Sequence, residues 1–233
     1  MSGPLNVDAV APAQVWELVR DLAALNDQWV LIGGLMVALY DLEYGHDFRE
    51  THDVDSLFDV RRGGGGAGLR RFARQVTDTL AFTQLTSHPG IGHRFIRGDL
   101  ILDVLAADHF PSTPNIEDQP KLVTFQVPGG SQAIDRAEPV SLQAAGVTFT
   151  IRRPNLTGAV ILKAHASQHA DRDKDHRDRA ALIAKIRDPR TVRAQLKPAE
   201  IKLLAGRLAD PRARTALKNH HPDTLTIAEL LAL

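Results

Sequence analysis

The chain has 233 residues, 43% of them hydrophobic and 24% charged, with 28 Lys+Arg against 28 Asp+Glu, a composition that excludes disordered and collagen-like classes. It has no cysteine, so disulfide frameworks and thiolate metal centres are excluded too. The longest apolar run, Trp29 to Tyr40, contains two glycines and is too short to span a bilayer.

The N-terminus, MSGPLNVDAVAPAQ, lacks a basic stretch followed by an apolar one, so no signal peptide and a cytoplasmic location are expected. PAQVWELVRDLAALN (12–26) has apolar positions at helical spacing behind Pro12. WVLIG (29–33) reads as a buried strand ended by Gly33–Gly34, and LMVALYDLEY (35–44) as the helix that follows. DVDSLFDV (53–60) reads as a strand, RRGGGG (61–66) as a loop, and GLRRFARQVTDTL (68–80) as a helix. Three strands are expected next, over 81–86, 93–98 and 99–106, the last two joined by a tight turn at Gly98–Asp99. Residues 107–136 read as a long Pro-, Asp- and Gly-rich connection with one strand, LVTFQV (122–127). PVSLQAAGVTFTI (139–151) reads as a hairpin turning near Ala145–Gly146.

After Pro154 the pattern becomes helical, in NLTGAVILKAHASQHA, RAALIAKI, PAEIKLLAGRLA and TIAELLAL. The expected fold class is α+β, with a sheet domain over 1–151 and a helical domain over 152–233. Residues 1–151 carry 11 Lys+Arg against 19 Asp+Glu, and residues 152–233 carry 17 against 9. An acidic half suits a metal and a basic half suits a polyanion such as RNA; the two halves would also attract each other.

The chemistry begins with Asp53 and Asp55. Residues two apart on a strand point to the same face, and two such carboxylates repel unless a cation sits between them. Hard oxygen ligands favour Mg²⁺ or Mn²⁺. Asp103 stands within the apolar strand LILDVLA, where an unpaired acid is costly to bury. Beside Asp53 and Asp55 it would complete a three-carboxylate metal site; the competing reading pairs it with Arg94 or Arg97 across the hairpin. Gly33 and Gly34, between a strand and a helix, let backbone N–H groups approach a phosphate closely. RRGGGG lacks the Lys-Ser/Thr of a P-loop. His165 and His169 stand four apart on one expected helix without an obvious third ligand, so solvent exposure is expected for them.

With these residues in place, the chain resembles the polymerase-beta-type nucleotidyltransferase superfamily, and within it the AbiEii-type toxins of type IV toxin–antitoxin systems. The strings that carry the resemblance are VLIGGLMVALY (30–40), RETHDVDSLFDV (49–60), LILDVLA (100–106) and LKAHASQHADRDKDHRD (162–178). The resemblance implies a nucleotidyltransferase-type mixed sheet flanked by helices, with a C-terminal helical domain. It implies transfer of a nucleoside monophosphate from an NTP to a hydroxyl, on RNA and most plausibly a tRNA 3′ end, under restraint by an antitoxin from a neighbouring gene. Gly33 and Gly34 would hold the triphosphate, with Arg49 and Thr51 beside them. Asp53 and Asp55 would bind Mg²⁺ (or Mn²⁺), and Asp103 would complete the site and help deprotonate the acceptor. Lys163 would contact the nucleotide from the helical domain as a further catalytic group, and Asp175 would belong to the same nucleotide site.

Eighteen residues separate Gly34 from Asp53, more than is usual in the family, which implies a longer loop before Arg49. In one unbroken helix Asp175 would lie roughly 18 Å from Lys163, at about 1.5 Å per residue. Either the chain turns near Asp171–Asp173, or Asp175 has another partner such as Arg172 or Arg177. Two other functions remain open at this point: transfer to a small molecule of the aminoglycoside type, and a nucleotide-binding regulatory module without turnover.

Overall fold

A computed structural model describes residues 3–86, 90–109, 115–117, 122–167 and 173–233. The chain divides into two compact units, Met1–Pro154 and Asn155–Leu233. His169, Asp171 and Arg172 lie outside the described residues.

In chain order the first unit holds β1 (Leu5–Asn6), α1 (Ala13–Leu25), β2 (Trp29–Ile32), α2 (Gly33–Glu43), β3 (Asp53–Phe58), α3 (Gly65–Asp78), β4 (Thr83–Leu85), β5 (Arg94–Arg97) and β6 (Leu100–Ala107). There follow β7 (Asn115–Glu117), β8 (Leu122–Val123), β9 (Gln126–Val127), α4 (Gly130–Asp135), β10 (Ala137–Ala144) and β11 (Val147–Pro154). The class is α+β. A six-stranded mixed sheet has the order β2-β3-β6-β5-β4, with β9 beside β6; β1, β10 and β11 form a second sheet, and β7 and β8 a small third.

Two departures from the sequence reading stand out. Gly65 and Gly66 belong to α3 rather than to a loop, because Gly64 takes φ +81° and turns the chain into the helix. The long connection is more structured than its composition suggests. The expected single strand over 122–127 is two short ones, β8 and β9, and α4 forms beyond them. Asp108 accepts hydrogen bonds from the backbone N–H groups of Gly129 and Ser131, both at 2.7 Å, so a carboxylate from the end of β6 caps that helix.

The six-stranded sheet has one sealed and one half-open face. Val54, Ser56, Phe58, Leu102, Val104 and Ala106 are fully buried. Phe58 stacks on Phe72 of α3, ring centroids 5.4 Å apart, so α3 covers that side. On the other face Asp53, Asp55, Ile101 and Leu105 are half-buried, while Leu57 and Asp103 are buried. Strand periodicity therefore puts every acid of interest on the accessible side.

Helix α2 is anchored at its far end. Tyr40 donates a hydrogen bond to the Pro154 carbonyl at 2.7 Å. The Arg153 guanidinium lies 3.8 Å from the centre of the Tyr40 ring and pairs with Glu43. Burial pushes the Tyr40 hydroxyl well above its ordinary pKa. The two tight hairpins form as expected. Gly98 has φ +59° between β5 and β6, and Ala145 and Gly146 take φ +48° and +77° between β10 and β11, the mirror-image turn that matches strand twist.

The second unit is helical: α5 (Leu156–Ala166), α6 (Asp173–Ile183), α7 (Pro189–Ala194), α8 (Pro198–Leu208), α9 (Pro211–His220) and α10 (Thr224–Ala232). Asn155 caps α5 by accepting from the Gly158 N–H at 2.9 Å. Helices α7, α8 and α9 each open on proline, whose missing N–H costs nothing in the first turn. Among the described residues no helix is long and apolar enough to cross a membrane.

Candidate functional site

The site is built by strand register. β3 and β6 run parallel, with Asp55 directly beside Asp103 and Asp53 beside Ile101. Neighbours in register share a face, so Asp53, Asp55 and Asp103 emerge on the same half-open side of the sheet. The Ser56 hydroxyl, pointing the other way, donates to the Asp103 carbonyl at 2.9 Å and ties the strands at that level.

The glycine turn lies against this acid face. Gly33 has φ +73° at the junction of β2 and α2, a conformation that side chains resist. A β-carbon there would collide with the Asp55 carboxylate. The next residue is also occupied from outside: a β-carbon on Gly34 would lie 3.2 Å from Arg49 Nη2 and 3.3 Å from Thr51 Oγ1. The long loop after α2 thus returns Arg49 and Thr51 to the start of the same helix. Ile32 offers α2 no side-chain cap, and a guanidinium, a hydroxyl and the Asp55 carboxylate lie close to the start of that helix.

Asp103 has a partner. Arg94, opposite it on antiparallel β5, donates from Nε to Oδ1 at 2.9 Å and from Nη2 to Oδ2 at 2.8 Å. This two-pronged pair engages both carboxylate oxygens. The hydrogen bond to Asp103, its charge, and the charges of Asp53 and Asp55 hold Arg94 above its ordinary pKa. The guanidinium is therefore a counter-charge within electrostatic reach of all three acids.

The donor chemistry fits a hard divalent cation: three carboxylates on one accessible face, two of them two residues apart and the third in register. In the side-chain arrangement present, no group of three His, Cys, Asp or Glu among the described residues stands close enough to hold one ion. Asp103 is turned to Arg94 instead.

Lys163 and Asp175 belong to the helical unit. The chain breaks between α5 and α6, and the Lys163 ammonium donates to Asp175 at 3.1 Å and to Asp178 at 2.8 Å. All three are buried. Burial alone would lower the pKa of Lys163; the charges and hydrogen bonds of Asp178 and Asp175 outweigh it and hold it above 10.5. Asp175 thus has Lys163 as a partner, while Asp171 and Arg172, where the sequence reading set a turn or another partner, lie outside the described residues.

Arg94 was visible in the sequence only as one of two candidate partners for Asp103. The signal that selects it is the Gly98–Asp99 turn: Arg97 pairs with Leu100, so counting back three places sets Arg94 against Asp103.

No protein-family model matches the chain, and no curated protein matches its sequence. Among solved structures, the solution structure of the antibiotic-resistance factor ANT(2'')-Ia is similar over 94% of this chain and 88% of that one, at 12% identity and a TM-score of 0.42.

Proposed function

We propose that this protein is a metal-dependent nucleotidyltransferase, moving a nucleoside monophosphate from an NTP to a hydroxyl and releasing pyrophosphate. The observation that carries the reading is the meeting of Asp55, in register with Asp103, with the left-handed Gly33 at the start of α2.

The residues take these tasks. The uncapped N–H groups of Gly33 and Gly34 receive phosphate oxygens, and Arg49 and Thr51 add charge and a hydroxyl donor at the same helix end. Asp53 and Asp55 would hold Mg²⁺ or Mn²⁺, with Asp103 joining them when released from Arg94. A bound divalent cation supplies charge neutralisation on the phosphates and lowers the pKa of a coordinated hydroxyl. Once released from Arg94, Asp103 would accept the acceptor's proton. The acceptor oxygen forms a bond to the α-phosphorus as the bond to the β-phosphate oxygen breaks, with the electron pair leaving on pyrophosphate. The site contributes chiefly position and charge. Lys163 and Asp175 join α5 to α6 and fix the shape of the helical unit.

The proposed acceptor is RNA, such as a tRNA 3′ end. The support is the excess of base over acid in residues 152–233, which suits a polyanion. Growth inhibition by modified tRNA, relieved by an antitoxin protein, is the biological setting this reading proposes. The test is incubation with Mg²⁺ and each α-labelled NTP in turn, with tRNA, an aminoglycoside, or neither. Label on tRNA from one NTP, absent in Asp55→Asn, is the expected result. Label on the aminoglycoside alone would replace the acceptor, and label nowhere would end the enzyme reading.

A further inference from the structure

We infer that Arg94 is a resident counter-cation for the three-aspartate face, displaced when a divalent cation binds and then free to hold the nucleotide's phosphates. The inference rests on the proposed function and adds a positioning residue that exchanges partners.

The argument starts from charge. Three carboxylates on one face repel, and something positive must offset them. In the structure the Arg94 guanidinium is hydrogen-bonded through both prongs to Asp103 and within electrostatic reach of Asp53 and Asp55. The Asp103 carboxylate that Arg94 holds would also have to serve a bound cation. Arginine and cation therefore compete for one carboxylate, and both cannot hold it fully.

Exposure decides whether the exchange can happen. The Arg94 side chain is 39% exposed, so it can leave Asp103 without being stranded in an apolar interior. The departing guanidinium keeps its fixed charge, and a nucleotide brings three phosphates to the same face. Divalent cation and NTP binding would then reinforce each other: the ion releases the arginine, and the arginine meets the phosphates that arrive with the ion.

The test uses the intact protein and two readouts of opposite sign. Mn²⁺ binding is followed by electron paramagnetic resonance without nucleotide, and the KM for the NTP is measured at saturating Mn²⁺. In Arg94→Gln, Mn²⁺ should bind about tenfold more tightly, because its competitor is gone, while KM rises about tenfold. Arg94→Lys keeps a charge but loses the two-pronged grip, so its Mn²⁺ affinity should fall between the two. Arg97→Gln is the control. It removes an equal charge three residues away from a side chain that donates to the Leu80 carbonyl, and should change both readouts less than about twofold. Thermal unfolding of each variant separates loss of fold from loss of competition, and Arg94→Lys carries the test should Arg94→Gln not fold. Equal Mn²⁺ affinity in wild type and both Arg94 variants would overturn the exchange and leave the enzyme reading standing. Absence of Mn²⁺ binding in every form would remove the enzyme reading and the exchange with it.

Discussion

Both units bring aspartates to a single cationic side chain, and the two arrangements differ in what surrounds them. In the helical unit Lys163, Asp175 and Asp178 have side chains 8%, 3% and 9% exposed. In the sheet unit Arg94 is 39% exposed and Asp103 11%. The first cluster is dry, and moving the lysine would strip two buried carboxylates of that counter-charge. The second is wet on one side, so its cation can be traded. In the proposed reading similar residue types serve cohesion in one place and chemistry in the other, and solvent access draws the line.

The sharpest way to break that comparison is to remove each cation. Lys163→Met should destabilise the helical unit by about 3–5 kcal/mol, the usual cost of leaving a buried charge unpaired, read as an earlier urea transition. Arg94→Gln should cost less than Lys163→Met, because the Arg94 guanidinium is partly exposed and water screens the pair on that side. Equal losses would erase the distinction. The lysine also sets an alkaline limit. Its folded pKa lies above the unfolded 10.5, so its contribution is complete below 10.5 and is lost as pH rises through the folded value.

A second substitution works from the backbone. Gly33→Ala forces a side chain into a left-handed conformation, at about 1–2 kcal/mol, and drives its β-carbon into the Asp55 carboxylate. Nucleotide transfer should fall by about a hundredfold or more, since small displacements of reacting groups cost that much. Gly34→Ala meets only the flexible end of Arg49 and the Thr51 hydroxyl, at 3.2 and 3.3 Å, and should be the milder change in the same assay. A reversed order would place the phosphate turn elsewhere.

The smallest expected effect sharpens the helical side. His176 is buried against α9, with Nε2 3.6 Å from Asp210, and burial holds its pKa below 6.5. A depressed folded pKa means the unfolded chain binds the proton first. The stability is therefore present above 6.5 and lost as pH falls through the folded value. His176→Gln should flatten the decline of the urea midpoint between about pH 7 and 5, and an unchanged slope would assign that decline to other groups.

Much of the sheet could be read from the chain because its signals are local. The buried run WVLI, the alternation in DVDSLF and the glycine at the Gly98–Asp99 turn each mark an element through neighbours in sequence. The joint face of Asp55 and Asp103 depends on register across two strands far apart in the chain, which alternation constrains and does not fix. Helices α4, α7 and α9 went unread. The first is hidden in Gly- and Pro-rich sequence and is capped by Asp108 from another element. The other two carry Asp-Pro starts at 188–189 and 210–211, signals that turn composition masks. The pairing of Lys163 with Asp175 was left open in the sequence, because helical spacing alone sets the two far apart.

The most direct test is Mn²⁺ titration, followed by electron paramagnetic resonance, of wild type and of Asp53→Asn, Asp55→Asn and Asp103→Asn. If the three carboxylates make one cation site, a single ion binds the wild type and each substitution weakens it by about tenfold or more. Binding that is equally strong in all four proteins would contradict the account.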